Sequence, residues 1–250
     1  MSTEVPELDG APLFLLDEVP DVPELLVDGQ EGRHAVDVLR LQPGERVHVG
    51  DGEGTLAEGD VVAAGPEGLR VAVRARFEVP APDPEFVLVQ ALPKGDRGPL
   101  AVDLATELGV DRIVPWQAAR CVTRWRDDRV GKGVAKWRAA ARAASKQSRR
   151  PRLPEVTEPM TTREVAGLLA DADLAVVLHE QARRPLTELT MPTEGTVVIV
   201  VGPEGGLTDG EVVAFRAAGA EPVRLGPEVL RTSTAGAAAI AALSASTRWH

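Results

Sequence analysis

Thr196-Val197-Val198-Ile199-Val200-Val201-Gly202-Pro203-Glu204-Gly205-Gly206-Leu207-Thr208 is a run of β-branched residues that ends in a glycine-rich turn. An unbroken apolar run of this kind reads as a strand buried on both faces, as in a parallel sheet. Thr208 with Glu211 three residues on has the pattern of a capping box and opens a helix. Strand, glycine loop and capped helix bring a backbone close to a cofactor, because glycines do not block approach and helix N-termini offer free N–H groups. The loop is neither G-x-G-x-x-G nor a P-loop: Lys-Ser/Thr is absent, and a proline and an acid occupy its centre. That acid opposes phosphate and suits a neutral or cationic ligand such as a sulfonium. Taken alone, the stretch fits a tight structural turn, with Glu204 tying down loop amides, as well as it fits a ligand site.

A second stretch, Leu225-Gly226-Pro227-Glu228-Val229-Leu230-Arg231-Thr232-Ser233-Thr234, repeats the plan: a strand over 222–225, a loop with its own Gly-Pro, and a helix start rich in hydroxyl caps. Two such loops at the carboxyl ends of neighbouring strands would form one crevice, the place where open α/β sheets bind ligands. The helix over 234–244 is mostly Ala and Gly, so something can pack close against it. Upstream, the pattern predicts strands over 86–92, 112–115 and 174–179. It also predicts a helix over 99–108 ended by Gly109 and a long Ala/Arg-rich helix over 134–148. This alternation predicts an α/β domain with a mainly parallel sheet. Before residue 80 the period differs. Short segments at 13–16, 45–49, 60–64 and 69–77 are separated by Gly/Pro/Asp turns, with a helical stretch over 32–41, and suggest a small β-barrel. Val79-Pro80-Ala81-Pro82-Asp83-Pro84 reads as a stiff linker. Two domains are therefore expected, 1–79 and 80–250.

The 250 residues carry a net charge of −10, which by itself argues against a polyanionic partner. The distribution reverses this. Residues 120–152 hold twelve Lys/Arg against Asp127 and Asp128, so an acidic body carries one basic strip. Most charge runs are solvated faces, but an excess this concentrated favours a nucleic-acid surface. Trp116, Trp125 and Trp137 lie in or beside the strip, and such rings stack unpaired bases, although any one of them reads first as core. The lone Cys121 has no partner for a disulfide or for zinc-type spacing, so no metal is expected. The first 31 residues hold nine acids and no Lys or Arg, the reverse of a signal peptide, and no run is long enough to span a membrane. A soluble, cytoplasmic protein is expected.

Several stretches together resemble the SPOUT-class methyltransferases, and among them the enzymes that methylate N3 of a uridine in small-subunit ribosomal RNA. They are Lys94-Gly95-Asp96-Arg97 with Ala105-Thr106-Glu107-Leu108-Gly109-Val110, Ser145-Lys146-Gln147-Ser148-Arg149-Arg150, the glycine loop, and Leu225-Gly226-Pro227-Glu228-Val229-Leu230-Arg231-Thr232. His34, Val38-Leu39-Arg40-Leu41 and Pro43-Gly44-Glu45 resemble the family's PUA-like RNA-binding domain. The sequence departs from the family pattern at Lys146 and Ser233, where Glu is common. The resemblance implies a deep trefoil knot in the C-terminal domain, a homodimer, S-adenosylmethionine as cofactor and 16S rRNA of the 30S subunit as substrate. Carried over residue by residue, the cofactor would lie against Leu178, His179 and Glu180, against Gly202, Pro203, Glu204, Gly205 and Gly206, and against Leu225, Gly226, Val229 and Leu230. Arg231 is the first catalytic candidate and Arg97 the second. Arg33, Arg40, Lys94, Arg124, Arg126, Arg138, Arg142, Arg149 and Arg150 are the expected RNA contacts. His179 and Glu204 are conceivable bases, though a packed histidine and a loop-organising acid explain them as well. A related enzyme acting on a ribose 2'-hydroxyl or a tRNA guanine, or a non-catalytic RNA-binding assembly factor, stays open at this point. A nucleotide-binding dehydrogenase is remote, since its glycine fingerprint is missing.

Overall fold

The computed structural model describes residues 10–249, which form two compact units. One comprises the described residues up to Ala81 together with Ser145–Leu153, and the other holds Pro82–Ala144 and the chain from Pro154 on. Ser145–Leu153 thus clusters with the first unit although it lies within the stretch read as the second domain.

The first unit has five strands, β1 (Leu13–Leu15), β2 (Glu24–Val27), β3 (Arg46–Gly50), β4 (Thr55–Gly65) and β5 (Gly68–Glu78), in the order β1-β3-β4-β5-β2. Only the β1–β3 pairing is parallel. Successive side chains of β1 enter different cores, as strand pleating requires. Phe14 packs with Val27, Val49 and Leu69, whereas Leu13 and Leu15 pack with Leu56 and Phe77, where Leu153 also lies. The 32–41 helix is displaced: α1 (Gly29–Arg33) begins earlier and continues as a π-helical turn, His34–Val38. Gly32 fixes this register, because a Cβ there would stand 2.4 Å from the Val27 carbonyl. Lys146 is ion-paired with Glu31 at 2.7 Å, both largely buried.

The second unit is an all-parallel sheet in the order β11-β9-β10-β6-β7-β8. Its strands are β6 (Glu85–Ala91), β7 (Arg112–Trp116), β8 (Glu155–Val156), β9 (Leu174–Leu178), β10 (Thr196–Val201) and β11 (Glu221–Val223), with α2 (Arg97–Glu107), α3 (Asp128–Gln147), α4 (Thr162–Ala170), α5 (Asp209–Ala217) and α6 (Thr232–Ser244) between and after them. β6 and β10 occupy the centre and are buried almost throughout, which explains their unbroken apolar sequence. Pro222 is tolerated because β11 is an edge strand. Short β2, β8 and the amphipathic α4, capped by Thr161 and Glu164, are absent from the sequence reading. α6 is buried nearly all round, and a Cβ on Gly236 would come 2.8 Å from Leu88. The low bulk of this helix thus serves tight packing on β6. No helix among the described residues is long and apolar enough to cross a membrane.

Candidate active site

All strands of the second sheet end on one edge, and the loops leaving β9, β10 and β11 there are successive neighbours. The two loops singled out in the sequence are not on adjacent strands: β9 lies between them, and its own end, Leu178-His179-Glu180, stands in the middle.

The β10 loop is held from four directions. Arg120, in the loop after β7, donates to the carbonyls of Gly205 (3.1 Å) and Leu207 (3.0 Å). Glu211 closes the expected capping box, accepting from the Thr208 amide at 2.8 Å, while its other oxygen accepts from the Ala119 amide at 2.8 Å. Glu204 accepts from the Lys94 amide (3.1 Å) and from Arg97 (3.4 Å). Thr232 donates from its hydroxyl to the Gly202 carbonyl at 2.7 Å. The glycines are needed for closeness: a Cβ would lie 3.1 Å from Leu207 at Gly202 and 3.2 Å from the Arg120 Cβ at Gly205. Gly206 also takes a left-handed φ of +68°.

Thr232 has a second bond. Gln90, fully buried near the end of β6, donates from Nε2 to the Thr232 hydroxyl and to the Ala91 carbonyl, both at 3.1 Å. A hydroxyl can accept from one partner and donate to another at once, so Thr232 ties β6, α6 and the β10 loop together. The expected hydroxyl cap is therefore corrected. The N-cap of α6 is Arg231, which makes no side-chain cap hydrogen bond, and the hydroxyl of the first helical residue, Thr232, is engaged with Gly202 instead of capping.

The β11 loop is different. Leu225 and Gly226 are partly exposed, Val229 and Leu230 are 79% and 39% exposed, and among the described residues 225–230 make no hydrogen bond. Arg231 is exposed and has no ion pair among the described residues. In the β9 loop, His179 donates its amide to Val223, and its Nδ1 accepts from the Gln181 amide at 3.1 Å. With Nδ1 so used, the neutral ring carries its proton on Nε2 and presents no free lone pair. Glu204 takes both donors on Oε1, which ties it to the loop and leaves Oε2 without a hydrogen-bond partner among the described residues.

The expected RNA contacts divide between the units: Arg33, Arg40, Arg149 and Arg150 in the first, Lys94, Arg124, Arg126, Arg138 and Arg142 in the second. Arg40 and Arg149 adopt left-handed φ values of 55° and 58°. Arg124 spends its guanidinium on the carbonyls of Ala118 and Ala119, and Arg138 spends its on the Val156 carbonyl and Glu158. Arg126 is exposed without an ion pair among the described residues. Arg120, Gln90 and Thr232 as an assembly were not legible in the sequence, where Arg120 is one cation among twelve. Only Glu211 carried a signal, its capping box. Among the described residues no cluster of His, Cys, Asp or Glu is arranged to hold a metal.

Comparison with known proteins accords with this architecture. Residues 80–244 match the RNA methyltransferase domain family, and residues 27–74 match the RNA methyltransferase PUA domain. A ribosomal RNA small subunit methyltransferase E from Mycobacterium bovis is 46% identical over 245 residues, covering 96% of this chain and 94% of the relative. The crystal structure of a ribosomal RNA small subunit methyltransferase E from Neisseria gonorrhoeae bound to S-adenosyl methionine superposes with a TM-score of 0.82 at 28% identity, covering 95% of this chain and 98% of the other. A methyltransferase from Legionella pneumophila in complex with the same cofactor gives 0.80 at 26%, covering 95% and 97%. With both units and the three-loop edge accounted for, the chain belongs to the RNA methyltransferase family of ribosomal RNA small subunit methyltransferase E.

Proposed function

We propose that this protein methylates N3 of a uridine in 16S rRNA, using S-adenosylmethionine and acting as a cytoplasmic homodimer on the 30S subunit. The observation that carries the reading is the edge where β9, β10 and β11 end, with one loop held rigid, one left open, and the unpaired Arg231 at their junction. The residues fit the cofactor. Residues 178–180 and 201–206 hold no Lys or Arg, Glu180, Glu204 and Glu228 lie on the three loops, and the glycines let a ligand approach the backbone closely. The deep trefoil knot of the C-terminal part belongs to the same reading, as an exception to the usual unknotted chain.

When bound, S-adenosylmethionine supplies an activated methyl on a sulfonium, so no protein nucleophile is required. N3 of uracil is a weakly acidic imide, and its negative charge on proton loss spreads over the two flanking carbonyl oxygens. In this reading Arg231 holds those oxygens by charge-assisted hydrogen bonds, strongest where charge develops; its exposure and lack of an ion pair among the described residues support the role. Leu178, His179, Glu180, Gly202, Pro203, Glu204, Gly205, Gly206, Leu225, Gly226, Val229 and Leu230 hold the cofactor, mainly through backbone groups. Arg97 acts at one remove, through its ion pair with Glu204, rather than on the reacting base.

The test is methyl transfer from labelled cofactor to 30S subunits and to naked rRNA, with the product nucleoside identified by mass spectrometry. N3-methyluridine on the 30S substrate is the expected result. A methylated ribose or guanine would move the reaction to another atom. Absence of both transfer and cofactor binding by calorimetry would leave an RNA-binding assembly factor.

A further inference from the structure

The loop between β7 and α3 and the first turns of α3 border an open surface hollow of about 470 Å³. Its walls include Val122 and Trp125 from the loop and Arg129, Lys132, Gly133 and Lys136 from the helix. The spacing of three and four places Arg129, Lys132 and Lys136 on one helix face. Gly133 leaves the gap into which the indole of Trp125 fits, since a Cβ there would stand 2.4 Å from the ring. Trp137 meets the same ring edge-on, with centroids 5.3 Å apart. One face of Trp125 is thereby fixed, and the residue remains partly exposed.

The hollow is preformed. The Trp125 amide donates to Gln117 at 2.8 Å, and the Thr123 hydroxyl donates to the Pro93 carbonyl at 2.7 Å. Its charge has one sign: no acid is among the lining residues. Arg124 is occupied with backbone carbonyls and Lys136 with Asp96, whereas Arg129 and Lys132 are exposed and make no ion pair among the described residues. A ring held in place but still partly exposed, beside two uncommitted cations, matches an unpaired nucleotide, whose base stacks and whose phosphate is neutralised.

We propose that this hollow binds one nucleotide of the RNA substrate, with its base on Trp125 and its phosphate between Arg129 and Lys132, as a subsite beside the methylated residue. The same loop that carries Trp125 holds the β10 loop through Arg120, so the subsite is anchored to the active-site edge. The proposal rests on the RNA methyltransferase reading and adds to it where the strand is gripped.

The experiment compares the wild-type protein with Arg129→Glu/Lys132→Glu, Trp125→Ala and Trp125→Phe. The readouts are binding of hexauridylate and hexaadenylate followed by tryptophan fluorescence, KM and kcat for 30S methylation, and cofactor affinity by calorimetry. The charge reversal should weaken oligonucleotide binding and raise KM by tenfold or more. It should also flatten the dependence of log affinity on log salt by about 0.7 for each phosphate that is no longer neutralised, with cofactor affinity unchanged. Trp125→Ala should weaken binding about 5- to 150-fold and Trp125→Phe far less, the range expected for one stacked base. Should Trp125→Ala fail to fold, the exposed charge reversal still decides. Affinity, salt slope and KM all within twofold of wild type would overturn the subsite while leaving the methyltransferase reading intact. A change in oligomeric state without a change in RNA binding would overturn it too, making the hollow a protein interface. Oligonucleotide binding that weakens as stated in a protein that transfers no methyl would sustain the subsite and sink the enzymatic reading.

Discussion

The loops that follow β10 and β11 share a sequence plan, Gly-Pro-Glu after a strand and before a helix, and differ in almost every physical respect. The β10 loop spends its carbonyls and its acid on Arg120, Thr232, Lys94 and Arg97, and its helix cap on a buried Glu211. The β11 loop from 225 to 230 makes no hydrogen bond among the described residues and exposes two large apolar side chains. A loop whose polar groups are satisfied by protein is preorganised and adds little freedom to lose on binding. A loop left without partners gains them from a ligand. The pair therefore reads as a fixed wall and an adaptable one.

That contrast can be broken at its junction. Arg231→Ala should reduce methylation by roughly a hundredfold or more, the scale of losing one donor to developing negative charge, with cofactor affinity by calorimetry nearly unchanged; normal turnover would remove Arg231 from the reaction. Thr232→Val comes next. It strands the Gly202 carbonyl and removes one of the two acceptors of the Gln90 amide, and should cost about 1–3 kcal/mol in urea unfolding as well as weakening cofactor binding, while Thr232→Ser retains both bonds. Arg120→Ala should cost less, about 1 kcal/mol for an exposed clamp, and its main effect should be a several-fold loss of cofactor affinity. Equal behaviour with wild type would show that the β10 loop needs no clamp.

Cys121 belongs to the same loop after β7 with its side chain buried, and burial pushes its thiol above the usual range. At neutral pH the native thiol is protonated and should resist alkylation, with faster labelling in Arg120→Ala reporting a loosened loop. The sign for stability follows from the unfolded chain ionising first: this group's contribution falls as pH rises through the ordinary thiol range. The smallest stability effect is expected for Val229→Ser, within about 0.5 kcal/mol, because the side chain is 79% exposed. A large loss would mean that the β11 loop is packed after all.

Much of the architecture was legible because it is written in local chemistry. The β-branched run of β10, the apolar run of β6, the Thr208–Glu211 box and the stop at Gly109 each follow from neighbours within a few residues. The site was half legible: both loops and the strand over 174–179 could be read, but not that this strand lies between the other two. Strand order depends on crossovers that no short window contains, so the β9 end emerged as the middle of the crevice only in the fold. The basic strip shows the same limit from the other side. Composition marked it, yet tertiary contacts decide which cations remain available, and Arg124 and Arg138 are spent on carbonyls where Arg129 and Lys132 are not.

The sequence by itself determined the class of fold and the family, because hydrophobic period, turn chemistry and motif combination are properties of the chain. Only the tertiary structure decided which side chains act together. Gln90, Thr232 and Gly202 meet across separations of 142 and 30 residues, and Arg120 reaches a loop 85 residues away. Hydrogen bonds of that span depend on the packing of the sheet, and no local pattern encodes them.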